Sequence, residues 1–158
     1  MERMPMTPEG YEKLRKELQH LKSVVRPQNI KDIEEARSHG DLSENAEYSA
    51  AKEKQSIIAG QISSIEDKLG RAEVIDPKKI AATDKIVFGA TVKLFDLDSD
   101  EEMIYKIVGD DETDIKLGKI GISSPIARGL IGKKEGDEAT VKTPKGQRQF
   151  EIVKVEYC

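Results

Sequence analysis

Two series of apolar residues with helical spacing run through the first half of the chain. Their members are Tyr11, Leu14, Leu18, Leu21 and Val25 in the first series, and Ile58, Ile62, Ile65, Leu69 and Ala72 in the second. Alternating intervals of three and four residues are typical of the seam of a coiled coil. The pattern therefore predicts two helices that pack against each other between about residues 8 and 74, the first beginning at Thr7-Pro8.

The two series are mirror images about a point between Asp41 and Leu42. A chain that folds back there brings the members of one series opposite those of the other, as in an antiparallel hairpin. Gly40 is a natural helix terminator at this point, and Asp41 or Ser43 can cap the next helix. We therefore expect a coiled-coil finger over residues 1–75 with its tip near 38–45. At about 1.5 Å per residue, an arm of this finger is roughly 45 Å long.

Pro27 interrupts the first series. A proline inside a helix removes one backbone hydrogen bond and collides with the preceding turn. We expect it to kink the helix or to shift its register locally, with Ile30 and Ile33 resuming the apolar face.

The apolar period changes to two after a charged, proline-containing segment at 76–84, which we interpret as a linker. Strands are predicted at 91–95, 103–108, 139–143 and 147–155, with a turn at Pro144-Lys145-Gly146. A short helix is expected from about Ser124-Pro125 to before Gly132. Residues 85–158 should thus form a small, mostly antiparallel sheet with one short helix, which makes the fold class α+β.

Composition narrows the possible functions. The formal net charge of -4 argues against general attraction to nucleic acid, so contact with RNA or DNA should be local or arranged by a partner. The single cysteine, Cys158, permits no intrachain disulfide. The chain has neither a signal-peptide pattern nor an apolar run long enough to cross a membrane. These features predict a cytoplasmic protein with no membrane partner.

Asp41 and Glu44 are the candidate chemical groups at the predicted tip. Carboxylates three residues apart could serve one hard cation such as Mg²⁺, but they leave most of its coordination to other groups. The same spacing also suits a capped helix start, and spacing alone favours that structural role. The two roles can coexist.

Four segments carry a resemblance to a known family. They are HGDLSENAEY (39–48), VFGATV (87–92), LDSDEE (97–102) and SSPIARGLIGK (123–133). Together they resemble the Gre-type transcript cleavage factors of bacteria, in particular the A-type, over essentially the whole chain. The resemblance implies an antiparallel coiled coil followed by a domain similar to the FK506-binding fold. It also implies a protein that is not itself an enzyme. Such a factor inserts its finger into the secondary channel of RNA polymerase and stimulates the polymerase's own Mg²⁺-dependent cleavage of backtracked RNA.

The resemblance also assigns roles to residues. Asp41 and Glu44 would act at the catalytic site as Mg²⁺ ligands shared with the polymerase, with no ion held tightly by the isolated protein. Ser123, Ser124, Pro125 and Arg128 would dock on a coiled coil at the channel rim. The alternative interpretation of segment 123–133 is a capped helix that packs Ile126, Leu130 and Ile131 on the sheet.

Several residues near the tip have two possible roles. Arg37, Lys52 and Lys54 could contact the RNA 3′ end, although a solvated helix face is the simpler interpretation of each. Asn45 could position RNA or water. Tyr48 could do so as well, but it also continues the second apolar series. His39 could move a proton or could be an ordinary residue at a helix end.

The sequence also allows two other functions and one other site to be weighed against its residues. A non-catalytic inhibitor of the polymerase channel is disfavoured by the intact Asp41 and Glu44. A peptidyl-prolyl isomerase needs an apolar aromatic pocket, and several of the few aromatic residues of the second half should be core. The acidic segment 96–102 lacks the glycine and the final glutamate of a calcium loop, so it is predicted to be a solvated hairpin turn.

Overall fold

The computed structural model describes residues 2–80 and 85–158. The chain divides into two compact units, one built on Tyr11–Ala72 and the other combining Arg3–Gly10 with Glu73–Cys158. Within the predicted linker, Pro77–Lys79 forms one 3-10 turn, and residues 81–84 lie outside the described residues. In the described part of the chain, no helix has both the length and the apolar character that a membrane crossing requires.

The first unit is a helical hairpin. Its first arm consists of α1 (Pro8–His20), a π-helical segment (Leu21–Val25) and α2 (Arg26–Arg37), and its second arm is α3 (Ala46–Arg71). Four buried residues form one apolar cluster between the arms, and four half-buried ones pack against them. These residues are Leu21, Ile58, Ile62 and Ile65, with Leu14, Leu18, Val25 and Leu69 around them. The two predicted apolar series therefore meet, and the antiparallel hairpin is confirmed.

The π segment accommodates Pro27. The N–H of Arg26 reaches back five residues to the carbonyl of Leu21, instead of the four of an α-helix. One extra residue is thereby inserted before the proline, and the buried positions beyond it move by one. Asn29, Ile33 and Ala36 are buried, whereas a regular α-helix would have placed Gln28, Asp32 and Glu35 in the seam. The predicted register shift is confirmed, but Ile30 is 44% exposed and is not part of the renewed apolar face.

The second unit contains a five-stranded sheet. Its strands are β3 (Thr91–Asp96), β4 (Glu101–Val108), β5 (Lys119–Gly121), β6 (Glu138–Thr143) and β7 (Gly146–Glu156). They lie side by side in the order β5-β4-β3-β7-β6. All neighbours are antiparallel except β4 and β5, which are parallel. The four predicted strands and the α+β fold class are confirmed. The three-residue β5 was not predicted, because it is too short to show an alternating pattern.

One face of this sheet carries the core of the unit. Alternate residues of β3, such as Val92 and Leu94, are fully buried, as are Phe150 and Ile152 of β7. The short helix α4 (Pro125–Leu130) adds Ala127 and Leu130 to the same core. The predicted packing was partly wrong, because Ile131 follows the helix and is 37% exposed.

A two-stranded sheet pairs β1 (Met4–Met6) with β2 (Ala72–Val74). Just after β1, the buried Thr7 donates its N–H and its hydroxyl to the carboxylate of Glu112. The N–H of Gly109 also donates to this carboxylate, at 3.0 Å. Thr7 in turn caps α1, since its hydroxyl oxygen accepts the N–H of Gly10 at 3.1 Å. The predicted helix start at Thr7-Pro8 is thus confirmed.

The turn between β3 and β4 is exposed over residues 98–102, as predicted, but Asp96 at its start is not solvated. Asp96 at the end of β3 is completely buried, and its carboxylate accepts hydrogen bonds from the Arg148 guanidinium on β7 and from the N–H groups of Asp98 and Ser99. Burial acts to raise the pKa of Asp96, but these donors outweigh it, so the pKa lies below its usual value. Asp96 is therefore a structural ion-pair partner.

Candidate functional site: the acidic loop of the hairpin

Residues 38–45 connect α2 to α3, so the hairpin turns at the place predicted for the tip. The first residues of this loop continue the last turn of α2, since the N–H of His39 donates to the carbonyl of Ala36 at 3.2 Å. Gly40 then takes a φ of 110°, a left-handed conformation that other residues adopt only with strain. This glycine ends the helix and turns the chain towards Asp41.

Asp41 and Glu44 are both exposed in the loop. The Oδ1 atom of Asp41 accepts two hydrogen bonds from Ser43, from the hydroxyl at 2.7 Å and from the N–H at 2.9 Å. These two donors, the hydroxyl first, hold the pKa of Asp41 below its ordinary value. Both bonds go to one oxygen, so Oδ2 keeps its lone pairs for another partner. Asp41 is thus an ionised carboxylate with one oxygen free among the described contacts.

Asn45, rather than Asp41 or Ser43, caps the following helix. Its Oδ1 atom accepts the N–H of Tyr48 at 3.0 Å, in the first turn of α3. The prediction that Asp41 or Ser43 is the cap was therefore wrong, because the loop continues to Asn45 before the helix begins. Helix capping therefore does not explain the Asp41 and Glu44 pair, since neither residue caps α3.

The basic residues near the loop make contacts within the hairpin. The Arg37 guanidinium lies 5.9 Å from the centroid of the Tyr48 ring, a cation–π arrangement. The Lys52 ammonium donates to Gln55 at 2.8 Å, and Lys54 is exposed. His39 Nδ1 lies 3.2 Å from a carboxylate oxygen of Glu47. The structure therefore gives Arg37, Lys52 and His39 local partners and leaves Lys54 towards solvent.

The second predicted site lies at the start of α4. The hydroxyl of Ser124 accepts the N–H of Ala127 at 3.2 Å, so Ser124 is the helix cap and Pro125 is the first helical residue. Ser123 donates its hydroxyl to Asp110 at 2.7 Å. Of the four residues assigned to docking, Ser123 and Ser124 thus have structural bonds, while Pro125 and Arg128 are exposed.

Sequence reasoning missed the role of Ser43 beside Asp41. An aspartate whose side chain accepts the N–H of the second residue after it forms an Asx turn, and a serine at that position can add its hydroxyl. The Asp-Leu-Ser order was visible in the chain, but we weighed Ser43 only as a helix cap.

The acidic pair of the loop consists of Asp41 and Glu44. In residues 2–80 and 85–158, no group of three or more His, Cys, Asp or Glu side chains is arranged to hold a metal ion. Carboxylate oxygens are the ligands that a hard cation prefers, so these two residues could supply part of a coordination sphere.

Comparisons with known proteins agree with the two-unit organisation. Residues 4–74 match the family model described as "Transcription elongation factor, N-terminal", and residues 81–157 match "Transcription elongation factor, GreA/GreB, C-term". A transcription elongation factor GreA of Hyphomonas neptunium is 61% identical over 157 residues, which are 99% of each chain. That of Neisseria meningitidis serogroup B is 59% identical over 157 residues, again 99% of each chain. A solved structure of the GreA factor homolog 1 protein of Thermus thermophilus is 28% identical, with 98% of this chain and 99% of that chain covered and a TM-score of 0.44.

The chain therefore belongs to the GreA/GreB family of transcription elongation factors. Both relatives above carry the A-type name, which confirms the A-type resemblance expected from the sequence.

Proposed function

We propose that this elongation factor binds RNA polymerase, inserts its helical hairpin into the secondary channel and stimulates the polymerase's own cleavage of backtracked RNA. The observation that carries the proposal is the state of Asp41. It is exposed, its pKa is lowered by Ser43, and it makes no ion pair with a described residue. An ionised carboxylate without its own cation can serve a cation supplied by a partner.

Asp41 and Glu44 would share Mg²⁺ with acidic groups of the polymerase. When bound, this ion lowers the pKa of a coordinated water and stabilises charge on the phosphodiester. The loop would present its two carboxylates, while the two hydrogen bonds from Ser43 orient the carboxylate of Asp41. Two carboxylates do not make a tight Mg²⁺ site, so the isolated chain should neither hold the ion firmly nor cut RNA.

The surface at α4 would provide the docking energy. Pro125 and Arg128 are exposed there, and Ser123 and Ser124 fix the geometry of the turn that presents them. An exposed arginine suits an acidic partner surface, such as a coiled coil at the channel rim. Arg37, Lys52 and Lys54 remain proposed RNA contacts, and Lys54 has the fewest competing bonds. The amide of Asn45, by contrast, is already engaged by Ala36 and Tyr48. A polymerase partner would place the protein in the cytoplasm.

One titration tests both halves of the proposal. Defined backtracked elongation complexes are mixed with increasing concentrations of the factor, and the release of RNA fragments is followed at limiting Mg²⁺. Asp41→Asn should lower the maximal cleavage rate by at least about a hundredfold, because an amide is a poor Mg²⁺ ligand. Each factor of ten in rate corresponds to about 1.4 kcal/mol of activation free energy. Arg128→Glu should instead require more factor and reach the normal rate in excess.

The controls are naked RNA and the polymerase without factor. Naked RNA incubated with the factor and Mg²⁺ should remain intact. Full cleavage by Asp41→Asn would contradict the proposed metal role of Asp41. Normal polymerase binding by Arg128→Glu would show that Arg128 is not part of the docking surface.

A further inference from the structure

We propose that Asn45 is the positioning residue of the acidic loop, because its single carboxamide ties both ends of the loop together. The Nδ2 atom donates to the carbonyl of Ala36, in the last turn of α2, at 2.7 Å. The Oδ1 atom accepts the N–H of Tyr48, in the first turn of α3, at 3.0 Å. This inference rests on the proposed cleavage function and adds a residue whose part is to hold Asp41 and Glu44 in place.

Only one orientation of the amide satisfies both partners. A carbonyl oxygen can only accept and a backbone N–H can only donate, so Nδ2 must face Ala36 and Oδ1 must face Tyr48. Aspartate at this position would still cap α3 but could not donate to Ala36. Serine could cap as well, but its side chain is shorter and offers one hydroxyl in place of two separate groups. The bridge therefore requires both a donor and an acceptor on the same short side chain.

The rest of the loop has little other support. Its remaining described side-chain bonds within the loop are those of Ser43 to Asp41 and of the Ser38 hydroxyl to the carbonyl of Glu35. The contact between His39 and Glu47 is exposed on both sides, and such pairs contribute little. Ala36, by contrast, is buried in the hairpin seam, so its carbonyl is a fixed anchor. Asn45 thereby connects the acidic segment to the rigid part of both helices.

This bridge matters because the loop must deliver its carboxylates accurately. A misplacement of about 1 Å in a catalytic group can cost about a hundredfold in rate. Loss of the Ala36 bond leaves α3 capped but frees the end of the loop that carries Glu44. A direct RNA contact, our first interpretation of Asn45, would have to compete with two short hydrogen bonds already made by the same amide.

The test uses two variants of the full-length protein that keep a capping side chain, Asn45→Asp and Asn45→Ser. Asparagine, aspartate and serine cap helices about equally well, so helicity and thermal stability should stay near those of the parent. Both variants should lower the maximal rate of stimulated cleavage by about tenfold or more, with the half-saturating factor concentration unchanged. Agreement between the two variants excludes the added charge of aspartate as the cause.

A second measurement is made without polymerase or RNA. Backbone ¹⁵N order parameters of residues 41–44 should be near the rigid value of about 0.85 in the parent and fall below about 0.6 in both variants. Unchanged order parameters with a reduced rate would mean that Asn45 touches RNA or polymerase directly, which overturns the proposal. An unchanged rate overturns it as well. Asp41→Asn in the same assay separates the outcomes, since its full activity would reject the cleavage role while the order parameters still decide whether Asn45 holds the loop.

Discussion

Two acidic turns of the molecule, at Asp41 and at Asp96, begin alike and end differently. At Asp41 and at Asp96, one aspartate carboxylate accepts the N–H of the residue two positions later, and in both cases the pKa is lowered. Asp96, however, is fully buried and paired with Arg148, whereas Asp41 is exposed and has no described cationic partner.

The comparison teaches that acidic composition does not identify a cation site. The segment 96–102 has more carboxylates than the tip, but its buried aspartate, Asp96, is already paired with an arginine from β7. The tip has fewer carboxylates, and Asp41 makes no ion pair with a described residue. In the proposed function, the two turns therefore differ in the origin of the compensating charge.

The largest effect should follow when the internal cation is removed. Arg148→Met leaves the buried carboxylate of Asp96 without the half-exposed guanidinium that pairs with it, and an uncompensated buried charge is destabilising. We expect the apparent Tm to fall by roughly 10 °C, measured by circular dichroism. Arg128→Met is the matched control, because Arg128 is an exposed arginine of the same unit, and it should change the Tm little. Equal Tm values for the two variants would contradict the assigned role of the Asp96–Arg148 pair.

A second change gives the tip the cation that it lacks. Leu42→Arg places a guanidinium next to Asp41, where it should compete with Mg²⁺ for the carboxylate. We expect stimulated cleavage to fall by about tenfold, partly recovered at high Mg²⁺, since a nearby opposite charge competes with the cation for the carboxylate. Leu42→Gln, of similar length and neutral, should remain close to the parent. If glutamine is as harmful as arginine, the loss comes from the leucine and not from the charge.

The smallest expected effect is on how thermal stability depends on pH in acidic solution. A carboxyl group with a lowered folded pKa contributes stability that is present above its unfolded value, about 3.9, and lost as pH falls through the folded value. Thermal stability of the parent should therefore decline as the pH falls below about 4. Asp96→Asn should reduce the steepness of this decline more than Asp41→Asn, because solvent screens the exposed tip. The comparison uses slopes, since Asp96→Asn also changes stability at neutral pH. The reverse ranking of the slopes would refute it.

The hairpin was predictable because its signal is local and repeated. Each apolar series constrains the other, and their mirror symmetry located the loop that holds Asp41. The four longer strands of the sheet were visible in the same way, as alternation over five or more residues, whereas the three-residue β5 was not. The capped helix at Ser124-Pro125 followed from two adjacent residues with strong positional preferences.

The remaining features depend on contacts that sequence spacing does not contain. Asp96 and Arg148 are 52 residues apart and meet only because β3 lies beside β7. The cap at Asn45 was missed because Asp41 and Ser43 are equally good capping residues and occur first. The length of the loop is set by where the two helices can still pack, and the register shift at Pro27 changes that position.

The π segment has a consequence for how a hairpin of this kind can change during evolution. Its first arm carries one residue that the second arm does not match, and Pro27 is accommodated only because that residue is there. Loss of the extra residue alone would put the proline into a regular helix, at about 3 kcal/mol or more. Loss of the proline alone would leave an insertion that the seam still needs, since Asn29, Ile33 and Ala36 are buried in the shifted register. The extra residue and the proline are therefore expected to be inherited or lost together, while changes in finger length should occur in both arms at once.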